Sequence, residues 1–300
     1  MKRKAIIEMT AKIIFLICAV VAIFAVIAIT LYMFLKGAPA LKEVGVTDLL
    51  FGTVWKPTAE EPSFGIWYII LASFVGTGAA ILLGVPIGLL TAVFLAEIAG
   101  KRLGGLVRGA VELLAAIPSV IYGLIGMMIL NPLMYRLERI IYEGDATHQY
   151  TGGANMLSAI LVLAIMILPT VISVSTSSLK SVPNQLRAAS YALGATKEQT
   201  IFKIVIPAAN SGILTGIVLG IGRALGEAMA INMVAGGAVN IPLPFNSVRT
   251  LTTQIVSEMG YSSGLHRQVL FTVGLVLYIF IMIVNFILLK ARKGGAADAV

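Results

Sequence analysis

IIFLICAVVAIFAVIAITLYMFL, residues 13–35, runs for 23 residues without a charge. An α-helix rises 1.5 Å per residue, so this run reaches ~35 Å against a hydrocarbon core of ~30 Å. It reads as a membrane span, and it is not alone. Uncharged runs also cover 66–96, 113–135, 156–179 and 268–289. A further apolar run, 208–234, is interrupted only by Arg223 and Glu227. Six spans predict an all-α integral membrane protein. Barrel strands alternate over about ten residues, which these continuous runs do not. A secretory h-region of about 7–15 residues is too short to describe 13–35.

The composition agrees. Of 300 residues, 58% are hydrophobic and 12% charged, about half the ~25% usual in soluble domains. Mean hydropathy is +0.96. A soluble fold would leave much of that apolar surface in water. The net charge of +8 would suggest nucleic acid in a soluble chain, but here the charges follow the lipid bilayer. With the N-terminal segment 1–12 placed inside, fourteen Lys and Arg fall on the inner side and seven on the outer. Counting acids, the inner side is +9 and the outer −1. That bias predicts both termini in the cytoplasm and no nucleic-acid partner. The inner segment 180–207 is long, amphipathic and positive, and the tail 294–300 reads as disordered.

Enzyme signatures are missing. There is no P-loop, H-E-x-x-H or G-x-S-x-G motif, and the two histidines, His148 and His266, fall on expected outer loops. The single cysteine, Cys18, excludes an intrachain disulfide. No catalytic group and no metal site is expected.

What stands out is charge within the apolar body. A charged side chain near mid-bilayer costs at least ~2.5–3.5 kcal/mol on insertion scales and marks a pathway or a pair. Arg223 and Glu227 are four apart and would share one helix face. The arginine offers a planar fork suited to an oxyanion, and Glu227 would neutralise it when no anion is bound. A salt bridge that only positions helices is the other reading. Asn232 follows a little over one turn later. Pro118-Ser119 and Pro169-Thr170 free backbone carbonyls inside spans, which makes Ser119, Tyr122 and Thr170 candidate pathway groups. Simple kinks would explain them equally. Glycine pairs at a spacing of four (Gly84 and Gly88, Gly216 and Gly220, Gly222 and Gly226) suit close helix packing.

The inner segment carries the most specific signal. Gln185-Leu-Arg-Ala-Ala-Ser-Tyr-Ala-Leu-Gly194 reads as a helix ended by glycine, followed by a second helical stretch closed at Pro207. Nine residues separate Gly194 from Ile204-Val-Ile-Pro207. This resembles the E-A-A-x-x-x-G-x(9)-I-x-L-P motif of the permease subunits of bacterial ABC importers. Ala189 matches the first alanine. Ala188 stands where that family has Glu, Ser190 replaces the second Ala, and Ile206 replaces Leu. Gly222-Arg-Ala-Leu-Gly-Glu-Ala-Met-Ala230, Ile117-Pro-Ser-Val-Ile-Tyr-Gly123 and the stretch Arg249 to Glu258 are similar to the phosphate branch of that family.

The resemblance implies a type I importer permease (MetI-like) fold in a bacterial inner membrane. It implies a sister permease subunit, an ATPase dimer and an external phosphate-binding protein, and leaves room for regulatory partners. No cofactor is expected in this chain, because ATP binds the partner ATPase. Arg187, Ala188, Ala189, Gly194, Ala195, Lys197, Ile204 and Pro207 would couple to that ATPase, and Arg223 and Glu227 would serve phosphate passage. An importer of molybdate or sulfate is the nearest rival, and an ATPase-independent anion channel is a second.

Overall fold

The computed structural model describes residues 2–297. A long helix α1 (Lys2–Glu43) and a short α2 (Val46–Phe51) lead to an antiparallel hairpin, β1 (Trp55–Lys56) with β2 (Ser63–Phe64). Next come α3 (Trp67–Val93), closed by a π-helical turn (Phe94–Ile98), and α4 (Lys101–Ala116). α5 (Ser119–Ile125), a second π-helical turn (Gly126–Leu130) and α6 (Asn131–Ile141) form one continuous rod. After α7 (Met156–Ser181) the chain makes α8 (Asn184–Ala192), α9 (Lys197–Thr200), a third π-helical turn (Ile201–Val205) and α10 (Ile206–Ala208). It returns through α11 (Asn210–Gly226), α12 (Met229–Val234), α13 (Leu251–Glu258) and α14 (Gly264–Ala297).

Among the described residues, five segments are long and apolar enough to cross a membrane: Glu8–Glu43, Trp67–Ile98, Ser119–Ile141, Met156–Ser181 and Gly264–Ile287. Two expectations change. The third span is not 113–135. Ile117 is extended (φ −69°, ψ 125°), as a residue before proline prefers, so 113–116 belong to α4 and the crossing starts at Ser119. The fifth, expected over 208–234, is broken. α11 is bent 69° from the helix before it and stops at Gly226, and α12 follows. The expected disordered tail continues α14 as far as Ala297, and 298–300 lie outside the described residues.

α7 is the centre of the body, packed between α3 and α11. Glycines make this possible. A Cβ at Gly84 would stand 2.7 Å from Ile167, one at Gly88 2.9 Å from Val171, and one at Gly220 3.1 Å from the same Val171. Gly222 and Gly226 face open space, so α11 has one packed face and one open face. α1 sits apart against α14, fastened where Thr272 Oγ1 donates to the Gly37 carbonyl at 2.8 Å. The apolar stretch of α1 buries nothing else and is left for lipid. The body has two distinct ends, one carrying the β-hairpin and α13, the other carrying α8–α10.

Candidate functional site

The break between α11 and α12 is built by Glu227. Its backbone is extended (φ −74°, ψ 125°), and its Oε1 accepts from the Ala230 N–H at 2.9 Å. Its carbonyl accepts from Thr252 Oγ1 at 2.8 Å. Thr252 lies on α13, which is itself tied to α3 where the Leu251 N–H donates to Ser73 Oγ at 2.9 Å. The break is therefore held from outside the span, as irregular backbone within a membrane must be.

Arg223 lies one turn before the break, on the open face of α11. Its guanidinium makes no hydrogen bond or ion pair with any described residue, and its Nε is buried without a partner. The expected pair with Glu227 does not form. Helix periodicity would have stacked the two side chains, but α11 ends at Gly226 and Glu227 turns away to cap α12. An arginine stays charged at all accessible pH. Here it presents an uncompensated positive fork in the apolar body.

The other sequence candidates divide. Tyr122 is buried on α5, within electrostatic range of Arg223. Its hydroxyl donates to the Leu114 carbonyl at 2.7 Å, one of the groups freed by the break at Pro118. α5 packs on α12, with Gly123 so close to Met233 and Ala230 that a side chain there would collide. Ser119 opens α5 half-buried, and Thr170 is half-buried on α7. Asn232 points elsewhere, its Oδ1 accepting from Ser257 on α13 at 2.9 Å. The structure thus brings Tyr122 toward Arg223 and takes Asn232 to α13.

The expected coupling residues form a hook at the α8 end. Gly194 closes α8 at φ +81°, a conformation glycine adopts without steric cost. Thr196 opens α9 with a reciprocal capping box to Gln199. Ser190 is buried against Thr200, the two hydroxyls 2.9 Å apart, so the serine that replaces an alanine in the motif ties α8 to α9. Arg187 binds Glu97 at 2.6 Å and the carbonyls of Val182 and Leu179 at 2.6 and 2.9 Å. It clamps α8 to the ends of α3 and α7. Ala188, Ala189 and Lys197 are exposed, as are Leu186, Tyr191 and Leu193, the last at 89%. Ala195 and Ile204 are half-buried and Pro207 is exposed beside the bend.

One cluster was not foreseen. Glu258, at 5% exposure, binds Arg249, takes a hydrogen bond from Trp55 Nε1 at 3.1 Å and lies 2.7 Å from His266 Nε2. Burial and the Glu258 charge together raise the pKa of the neighbouring Tyr261 phenol. A second buried acid, Glu138, pairs with His148 at 2.9 Å and accepts from the Thr151 N–H at 3.1 Å. By sequence these residues counted as outer-loop charges. Only the short interval between Arg249 and Glu258 hinted at a pair.

A helical body with a broken, charged span and an exposed amphipathic hook at one end defines a solute-translocating membrane subunit. Residues 84–291 match the family of binding-protein-dependent transport system inner membrane components, and the chain belongs to that family. The probable ABC transporter permease protein YqgH of Bacillus subtilis is 36% identical over 289 residues, 93% of this chain and 90% of that one. The phosphate transport system permease protein PstC of Xylella fastidiosa (strain 9a5c) is 34% identical, covering 91% and 88%. A bacterial alginate ABC transporter structure matches over 89% of this chain and 92% of that one, with TM-score 0.59 and 16% identity. The inward-facing MetNI methionine ABC transporter matches over 77% and 94%, with TM-score 0.54 and 24% identity. These two structures carry the fold alone, and it is the importer-permease fold. The chain is a multi-pass permease of an ABC importer, a translocation component and not an enzyme. Such a component works with an ATPase, a binding protein and a permease partner.

Proposed function

We propose that this chain is the PstC-type subunit of an ATP-driven importer of inorganic phosphate. Its partners are then a sister subunit of the PstA type, an ATPase dimer of the PstB type and an external phosphate-binding protein of the PstS type. The observation that carries the reading is Arg223, a half-buried arginine on the open face of a broken span whose buried Nε has no partner and whose guanidinium pairs with no acid among the described residues. The substrate class draws support from the PstC relatives. The charge bias supports a cytoplasmic position for both termini and the α8 hook.

In this reading, phosphate released outside reaches a cavity between the two permease subunits, where Arg223 attracts it. Closure of the ATPase dimer pushes on the hook. The Arg187–Glu97 clamp passes that movement to α3 and α7, and the cavity changes the side it faces. One unpaired cation holds the anion weakly enough to release it. Glu227 caps α12 with Oε1 and has Oε2 left to add selectivity: near neutral pH phosphate keeps an O–H that can donate a hydrogen bond to it, whereas sulfate has none and is repelled.

The test is reconstitution. The complex co-purified with this chain should contain an ATPase and a second permease subunit. Its vesicles should take up radiolabelled phosphate only with binding protein and ATP. Competition by sulfate or molybdate, with phosphate inert, would move the substrate to another oxyanion. Phosphate conduction by this chain alone would replace the importer with a channel.

A further inference from the structure

A cavity of about 290 Å³ opens at the α8 end of the body, between α4, α7 and the π-helical turn that closes α3. Its floor is apolar, formed by Leu95, Val111 and Ile172. Its walls are not. Arg108 and Glu112 enter from α4, and Thr176 and Lys180 from α7, flanked by Ser173 and Ser177. None of this belongs to the Arg223 site. α7 and α11 run antiparallel, with Gly212 on Ser178 and Gly220 on Val171 and Ile167. Thr176 therefore lies on the α8 side of Val171, and Arg223 lies beyond Gly220 on the other side.

Thr176 is the telling residue. It is 7% exposed, and its Oγ1 is buried with no hydrogen-bond partner. A threonine in a helix ordinarily returns its hydroxyl to the carbonyl four residues back. Thr30, Thr91 and Thr215 do so here, at 2.8 Å each. Thr176 does not. A buried hydroxyl left unpaired is unfavourable unless something in the cavity completes it. The cations are unspent too. Arg108 and Glu112 are four apart on α4, the spacing that favours an ion pair. Yet neither they nor Lys180 makes an ion pair with any described residue.

We propose that this cavity binds a phosphate group. Arg108 supplies a bidentate fork and Lys180 a second charge. The Thr176 hydroxyl donates to a phosphate oxygen, and Glu112 accepts an O–H or N–H carried by the same ligand. Two sources share this chemistry. One is free hydrogen phosphate on the cytoplasmic side. The other is the headgroup of an anionic phospholipid, whose acyl chain would follow the apolar floor, as basic pockets between spans on that side allow. The site does not depend on phosphate being the imported solute.

The experiment uses the purified full chain carrying Arg223→Gln, so that the proposed transport site does not contribute. Retention of phosphatidylglycerol against phosphatidylcholine is read by native mass spectrometry, and radiolabelled inorganic phosphate by equilibrium dialysis. At least one of phosphatidylglycerol and inorganic phosphate should bind. Arg108→Gln with Lys180→Gln should weaken that probe by about tenfold or more, as loss of charged hydrogen bonds does. Thr176→Val keeps the side-chain volume and should weaken it about fivefold, the loss expected for one hydroxyl contact. Arg136→Gln, in a different basic cavity, should leave binding unchanged. Phosphatidylglycerol displaced by excess phosphate identifies the free anion, and phosphatidylglycerol that survives it identifies the lipid headgroup; either supports the site. Failure of the chain to bind either probe overturns it. So does equal binding by the double variant, or by Thr176→Val.

Discussion

Two of this chain's arginine–glutamate couples behave in opposite ways. Arg249 and Glu258 are nine residues apart and meet. Arg223 and Glu227 are four apart, at helical spacing, and do not. Glu258 is saturated by Arg249, His266 and Trp55, and in return fastens α13 to the β-hairpin and α14. Among the described residues Arg223 has no hydrogen-bond or ion-pair partner, and Glu227 uses one carboxylate oxygen to cap α12. A satisfied buried charge is a fastening. An unsatisfied one fastens nothing, and under the proposed function it is the group that meets the anion.

Substitutions can break this distinction. The largest effect is expected for Glu258→Gln, because removing one member of a buried pair strands the other at about 3–5 kcal/mol. The melting temperature in detergent should fall steeply. Arg223→Gln should do the reverse. Uptake in reconstituted vesicles should drop by about ten- to a hundredfold, the 1.5–3 kcal/mol of a charged hydrogen bond, with no loss of thermal stability. If Arg223→Gln destabilises the fold as Glu258→Gln does, the two couples are both structural and the contrast fails.

Glu227→Gln should be smaller. Phosphate uptake should stay within a few-fold of wild type, while discrimination against sulfate should fall by about tenfold as a repulsive element is removed. Unchanged discrimination would leave Glu227 as a cap only. The smallest effect is expected for Asp145→Asn. The Thr147 hydroxyl and N–H hold the Asp145 carboxyl below its ordinary range. A carboxylate whose pKa is lowered by folding stabilises at neutral pH, and that contribution vanishes as pH falls through its folded-state pKa. Asp145→Asn should flatten the acid side of the stability profile and leave uptake untouched.

Part of this was legible in the residues and part was not. The spans were readable because length and hydropathy are local properties. The hook was readable from Gly194 to Pro207 because a glycine stop and a fixed spacing are local too. Pro118 signalled a break, but its consequence did not show: that 113–116 would join α4, and that Tyr122 would turn its hydroxyl back to Leu114. No proline marks the break at Glu227. It is stabilised by Thr252, 25 residues on, and through Leu251 by Ser73 on α3. Trp55 and Glu258 are 203 residues apart, beyond the reach of any pattern.

The sequence alone determined the solvent of this protein, its charge bias and its hook. Each follows from how a short run of residues partitions between lipid and water or satisfies its own backbone. The tertiary structure decided which charges are free. Whether an arginine has a partner depends on where helices end and what packs across them. Only the folded chain, by ending α11 at Gly226 and turning Glu227 toward α12, left Arg223 unpaired among the described residues.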